Sequence, residues 1–238
     1  MRLRLVGTGS ILTSHLSACT LIDDRILVDV PNGSVKAIRR CSVNPGSLRG
    51  CLISHFHADH YFDVVFLLLE LGLRQVQDQD FHLAGPRGLE ERVDILFKLA
   101  YPESWEKVRE NSRVAFHEWP DSGGELKMDN YTIQAVPVIH SIAPAFGYLV
   151  DDGTVAAGFS GDSELCEGIH RIVAKASTAV LDASFTEPRG GHMGISDLVD
   201  LAEKYPSTRI IATHLSDQVR EREWPGVRLP ADGDCVSL

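Results

Sequence analysis

Residues 55–60 read His55-Phe56-His57-Ala58-Asp59-His60, placing three imidazoles and one carboxylate within a few positions. Imidazole nitrogens and carboxylate oxygens are the ligands of borderline divalent ions, zinc first, with manganese or iron also served. His55 and His57, two apart in a tight loop, can aim both rings at one cation, while Asp59 and His60 project toward a second point a few ångströms away. Four ligands do not fill two sites, so the rest must come from elsewhere. His140, Asp162 in Ser160-Gly161-Asp162-Ser163, and His214 in Thr213-His214-Leu215-Ser216 each follow a β-type run. Ligands at strand ends are how a rigid scaffold gathers distant residues at one point. His192, between Gly191 and a helical pattern starting near Ile195, is a further candidate. Asp29 and Asp182 also follow strand-like runs, where they could brace ligating histidines or make turns. His15, His82, His117 and His170 show no partners and read as surface or satisfied histidines.

The elements that must position these residues are a mixture of strands and helices. Residues 2–6, 19–22 and 25–28 read as strands, with Asp23-Asp24 at a hairpin turn. A strand over 51–54 leads into the histidine loop, and 61–73 reads as a helix covered on most sides. Further strands are expected at 81–84, 114–117, 131–138, 146–150 and 155–159, with an amphipathic helix at 89–100. Helices at 165–175 and 195–205 then alternate with strands at 179–181 and 209–212, and Pro206 ends the second helix. Ile195, Leu198, Val199 and Ala202 form a stripe at helical spacing, a core face. The tail after Trp224, with Pro225, Gly226, Pro230 and Gly233, reads as irregular. Strand runs joined by helices in both halves predict sheets with helices outside them.

Composition narrows the function classes. The 238 residues carry a net charge of −10 and are 44% hydrophobic, an ordinary globular balance. A chain this long can bury about 70% of its unfolded surface in one core. No linker-like stretch divides it, so a single domain over 1–238 is expected. The negative charge argues against holding long nucleic acid by broad phosphate neutralisation. The apolar run 64–69 lies between Asp63 and Glu70, far short of the roughly 20 residues of a bilayer span. The first residues hold no signal-peptide core, so cytoplasmic residence is expected. Five scattered cysteines without a CxxC pair suit reduced thiols, not a disulfide framework or a cysteine zinc site.

In order and spacing these motifs resemble the metallo-β-lactamase superfamily and, within it, the ribonuclease Z-like group of phosphodiesterases. The resemblance rests on Gly7-Thr8-Gly9-Ser10, Ile26-Leu27-Val28-Asp29, the 55–60 segment, residues 137–140, Ser160-Gly161-Asp162-Ser163, Asp182-Ala183-Ser184-Phe185, His192-Met193 and Thr213-His214-Leu215-Ser216. It implies an α/β fold, a four-layer αββα sandwich, with a binuclear site at one edge of the sheets. Carried over by position, His55, His57 and His140 would hold the first metal, Asp59, His60 and His214 the second, and Asp162 would bridge them. His192 matches the group's non-ligand active-site histidine. Three departures point away from tRNA maturation. The stretch between His140 and Asp162 is too short for the group's tRNA-binding arm. Phe159 stands where the tRNA enzymes place a carboxylate beside the non-ligand histidine, and the last motif ends as Asp217-Gln218.

Two cations bridged by Asp162 would hold a hydroxide between them, because a metal lowers the pKa of bound water toward neutrality and polarises phosphoryl oxygens. Asp59 would orient that hydroxide. His192 would donate a hydrogen bond or proton to a phosphoryl oxygen or leaving group. The expectation is a binuclear metal-dependent hydrolase, with two divalent ions, acting on small or nucleotide-like phosphodiesters. A lactone or thioester hydrolase on the same core is the alternative within the class, and a non-catalytic ligand-binding module the alternative outside it. A penicillin-degrading enzyme is disfavoured because the bridging place holds Asp162 and no cysteine. An oxygen-reducing di-iron enzyme would want a carboxylate at position 57 and an attached flavin domain. Residues 89–119 are expected to contribute to the pocket wall, and a homodimer is the partner the resemblance admits.

Overall fold

In the computed structural model, which describes residues 1–74 and 79–238, short apolar runs build two seven-stranded sheets. The first contains β1 (Arg2–Gly7), β2 (Cys19–Ile22), β3 (Ile26–Val28), β4 (Gly50–Leu52), β5 (Phe81–Pro86) and β6 (Val114–Trp119). The second contains β7 (Gly124–Met128), β8 (Tyr131–Val138), β9 (Ala145–Asp151), β10 (Ala156–Phe159), β11 (Thr178–Asp182), β12 (Arg209–Thr213) and β13 (Val227–Arg228). A last strand, β14 (Cys235–Ser237), returns to the first sheet and pairs antiparallel with β1. Strand order is β14-β1-β2-β3-β4-β5-β6 in one sheet and β13-β12-β11-β10-β9-β8-β7 in the other.

Side-chain alternation sorts the core into layers. In β3, Ile26 and Val28 turn toward the second sheet, where they join Leu3, Leu5, Phe146 and Tyr148, while Leu27 turns to the opposite face. That opposite face is covered by α1 (Ser34–Arg40), α3 (Val64–Arg74), α4 (Leu89–Ala100) and α5 (Trp105–Ser112), through Ile38, Leu67, Phe97 and Val108. On the far side, α6 (Glu167–Lys175) and α7 (Ile195–Lys204) press Ile169, Val173, Leu198 and Leu201 against Leu181 and Ile210 of the second sheet. The result is the αββα sandwich. Leu198 of the expected helical stripe is buried in that last layer, with Val199 and Ala202 partly buried beside it.

Several elements differ from the reading of the sequence. The helix expected over 61–73 is two pieces, α2 (Ala58–Tyr61) and α3. The break falls at Asp63, whose amide donates to Val30 O and whose carboxylate accepts from the Val35 amide. Helix α1 was not expected: it is short and begins after Gly33 at φ 89° with no side-chain cap, so it leaves no periodic signal. The tail, expected to be irregular, is turn and loop apart from two short strands. β13 and β14 are edge strands too short for alternation to show, and α8 (Asp217–Arg220) precedes them. All five cysteines are free. Among the described residues no helix is long and apolar enough to cross a membrane.

What positions the site is strand direction. β3 to β6 run parallel, as do β10 to β13. β1 is two antiparallel steps from β3, and β8 two from β10, so each runs the same way as its partner. The segments after β1, β3 and β4 therefore leave one edge of the first sheet, and those after β8, β10, β11 and β12 leave one edge of the second. Tyr148 ties the sheets beside that edge: its hydroxyl donates to Ile53 O at 2.6 Å and accepts from Trp119 Nε1 at 3.1 Å.

Candidate metal centre

The histidine loop is fixed from below by Asp29. This buried residue sits just after β3 at φ 60°, a left-handed conformation that Asp tolerates better than most residues. Its carboxylate accepts from Ser54 N, Ser54 Oγ and His60 Nδ1, each at 2.8 Å. Because Nδ1 of His60 spends its proton on Asp29, Nε2 is left as a lone pair. The same logic fixes the others. Ser54 Oγ donates to Asp29, so it accepts from His55 Nδ1 at 3.0 Å and leaves Nε2 bare. His140 Nδ1 donates to Gly191 O at 2.8 Å. His214 Nδ1 donates to Ser184 Oγ at 2.6 Å, and Ser184 Oγ passes its own proton to Asp182 at 2.7 Å.

These bare nitrogens converge. His57 Nδ1 lies 3.1 Å from His55 Nε2 and 3.2 Å from His140 Nε2, and Asp162 Oδ2 is 4.0 Å from both Nε2 atoms. On the other side of Asp162, the same oxygen is 3.2 Å from His60 Nε2 and 3.4 Å from His214 Nε2. Asp59 Oδ2 closes this second group, 3.4 Å from His214 Nε2 and 3.9 Å from His60 Nε2. Asp162 thus lies between two clusters of ligand atoms, His55, His57 and His140 on one side and Asp59, His60 and His214 on the other; either could hold a divalent ion, as could a third group in which Asp162 and His214 meet Asp182 and His192. Lone pairs facing lone pairs in a buried space repel unless something positive sits among them. His60 Nε2 makes the point most sharply: it is buried and has no hydrogen-bond partner among the described residues. The donor set therefore fits borderline divalent cations.

Electrostatics carry the same signature. Burial holds His55 well below the usual imidazole range and lowers His57, which keeps both neutral. Burial would raise Asp162, but His214, His60 and His55 outweigh it and hold the carboxyl well below its ordinary value. Asp59 is lowered against burial by its hydrogen bond with His214. His60 and His214 are raised despite burial, chiefly by Asp162. A carboxylate field strong enough to hold protons there is one that attracts cations.

His192 sits beside the clusters. Its Nδ1 donates to Asp182 Oδ2 at 2.8 Å and lies 3.8 Å from Asp162, and its ring stacks on His214 with centroids 5.4 Å apart. Burial would lower its pKa, but the Asp182 hydrogen bond raises it. Phe159 is packed between the sheets, so the carboxylate beside His192 comes from the neighbouring strand end, β11 in place of β10. Asp29 and Asp182, left open by the sequence between bracing and turn roles, are braces. Ser184 was missed, as nothing marks a relay serine in one sequence.

A cavity of about 310 Å³ opens beside His192 and His214, lined also by Ser10, Ile11, Leu12, Thr13, Ser184, Phe185 and residues 216–218. Residues 89–119 take no part in this lining, contrary to expectation, because α4 and α5 pack on the outer face of the first sheet. All four of the histidines read as lacking partners have one: His82 Nδ1 and His117 Nε2 are 2.9 Å apart across β5 and β6, and His170 lies 3.3 Å from Tyr205 Oη. His15 Nδ1 is 3.5 Å from Asp232. All these partners are distant in sequence.

The family described as the beta-lactamase superfamily domain matches residues 24–215. A ribonuclease Z of Staphylococcus epidermidis is 26% identical over 130 residues, covering 52% of this chain and 38% of that protein. Among solved structures, the short form of human tRNase Z superposes with a TM-score of 0.81 at 20% identity, covering 100% of this chain and 99% of that one. A diphosphatase of the PhnP family gives a TM-score of 0.75 at 17% identity, covering 100% and 97%. At these identities the structural likeness shows a shared fold.

Proposed function

This chain belongs to the beta-lactamase superfamily, and from that premise we propose that it is a binuclear metal-dependent hydrolase cleaving small or nucleotide-like phosphodiesters. The observation that supports it is the convergence of imidazole lone pairs on both sides of Asp162. His55, His57 and His140 with Asp162 would hold one ion; Asp59, His60 and His214 with the same carboxylate would hold the other. Bound there, zinc, or manganese or iron, would supply Lewis-acid polarisation of phosphoryl oxygens and an activated water. The chain's own groups do the rest. Asp59, partly exposed and held ionised, orients the attacking water. The water's oxygen bonds to phosphorus as its proton is lost to solvent, the ester P–O bond breaks, and His192 passes a proton to the departing oxygen. Asp182 holds His192 by Nδ1, which leaves Nε2 to carry that proton.

Small substrates are favoured because β9 and β10 consume the interval between His140 and Asp162, so no arm for a folded RNA projects there. The net charge of −10 points the same way. In this reading residues 1–238 act as one hydrolase domain in the cytoplasm. The test is a metal count on purified protein, then turnover of bis(p-nitrophenyl) phosphate, a lactone and a thioester by the same preparation. Two equivalents of metal and phosphodiester cleavage are expected, with cleavage lost in Asp59→Ala and His57→Ala. Lactone or thioester turnover without phosphodiester cleavage would move the reaction to carbon centres. Loaded protein with no turnover would make it a binding module.

A further inference from the structure

We infer that the cavity beside His192 is a subsite for one neutral, flat, apolar group, an aryl ring or nucleobase, on the leaving side of the phosphodiester. The inference rests on the phosphodiesterase reading and goes beyond it by naming what the leaving group must look like.

The first support is the wall itself. Ile11 and Leu12 are 61% and 91% exposed, an unusual placement for two large aliphatic side chains at the mouth of a polar site. They are not on a loose loop. Gly9 N donates to Leu16 O at 2.8 Å, closing the loop at its base, and Ser10 N donates to Leu215 O at 3.1 Å, tying it to the residue after His214. Asp232, from the C-terminal tail, accepts from Thr8 N at 3.0 Å, Thr8 Oγ1 at 2.7 Å and Leu16 N at 2.9 Å. Arg220 donates to the same threonine hydroxyl at 2.6 Å. The loop also folds tightly onto Gly9, where a Cβ would lie 2.4 Å from Thr13 Oγ1 and 2.6 Å from the Cβ of His15. The tail therefore has a job: it clamps both ends of the loop whose apolar tip stands over the site.

The second support is the chemistry of the remaining lining. Phe185 offers a ring to the same space, and Ser216, Asp217 and Gln218 supply hydrogen-bonding groups. No Lys or Arg lines the cavity among the described residues, and Asp217 is acidic. A second phosphate or a continuing nucleic-acid backbone would thus meet Asp217 with no Lys or Arg in the lining to bind it, whereas a neutral ring would find apolar contact and polar edges. The volume of about 310 Å³ lies at the small end of ligand pockets, enough for one ring system and not for an oligomer. His192, the group that passes a proton to the departing oxygen, lines this cavity, which places the leaving group here.

Calorimetric titration of the metal-loaded protein with phenyl phosphate and methyl phosphate tests this. Wild type should bind phenyl phosphate about ten-fold tighter. The double variant Ile11→Ser/Leu12→Ser should lose that preference while its metal content and methyl phosphate affinity stay as in wild type. Because both side chains are exposed, the variant folds without a core defect. Asp232→Asn, which frees the loop base, should shrink the preference as well. Equal wild-type affinity for the two phosphates, or a preference that survives in the double variant, overturns the subsite and leaves the phosphodiesterase reading standing. Failure to bind either phosphate, joined to absence of phosphodiester cleavage, overturns both.

Discussion

Asp182 Oδ2 accepts the Nδ1 proton of His192 at 2.8 Å, while Oδ1 of the same carboxylate reaches His214 through Ser184. One fully buried group at the end of β11 thus orients both the proposed proton donor and a proposed metal ligand. Replacing it with Asn keeps the shape but weakens the hold on His192. Asp182→Asn should lower kcat by about 10- to 100-fold for phosphodiesters with alkoxide leaving groups. The loss should be much smaller for p-nitrophenyl esters, whose leaving group needs no proton. Measuring kcat across leaving groups of graded basicity decides it. A uniform drop over the series would mean that Asp182 acts through the metal cluster alone.

Asp29 does for the first sheet what Asp182 does for the second. It holds His60 and the base of the histidine loop through three hydrogen bonds. Asn tolerates the left-handed backbone at this position, so Asp29→Asn isolates the side-chain bonding. Metal affinity should fall by about 10- to 100-fold, read by competition with a chromogenic chelator. Asp29→Ala should in addition destabilise the fold by about 1–3 kcal/mol, since it strands buried donors. Affinity in Asp29→Asn within a factor of about two of wild type would show that His60 needs no brace.

The residues proposed as ligands were legible because dense His/Asp spacing is rare and because each distant candidate closes a β-run. Long elements such as β8 and α4 were legible for the same reason, since periodicity needs length to show. What escaped depends on pairing between segments far apart. β13 and β14 are strands only because β12 and β1 offer edges. The His82–His117 contact exists only because β5 and β6 are in register, Ala84 opposite His117 and His82 opposite Ala115. The pocket wall escaped because Ile11 and Leu12 look in sequence like a short apolar stretch. Only the clamp from Asp232, more than two hundred residues on, makes them a surface.

Tyr148 couples the two sheets next to the site. Its hydroxyl, fully buried, serves Trp119 Nε1 and Ile53 O together, and Phe146 N donates to Ser54 O one step along the same seam. Tyr148→Phe leaves a buried indole N–H and a buried carbonyl without that partner. Stability should fall by about 1–3 kcal/mol in urea unfolding, with the denaturant slope unchanged. A loss below about 0.5 kcal/mol would show that the seam relaxes around the missing oxygen.

His82 and His117 give the fold an acid-sensitive element remote from the proposed metal ligands. Burial lowers both imidazoles below their ordinary value, with Arg49 adding to the effect at His82 and His82 itself adding at His117. The native pair therefore stays neutral in a range just below pH 6.5 where the unfolded chain takes up protons. Since the unfolded state then binds more protons, stability rises with pH there. The pair's contribution is fully present above about pH 6.5 and is lost as the pH falls toward the folded values. Thermal midpoints of metal-loaded protein between pH 5 and 8 should drop on the acid side. His82→Gln/His117→Gln should flatten that drop by the share of these two groups, leaving the part due to other histidines. Identical pH slopes in wild type and variant would show that the pair titrates alike in folded and unfolded chains.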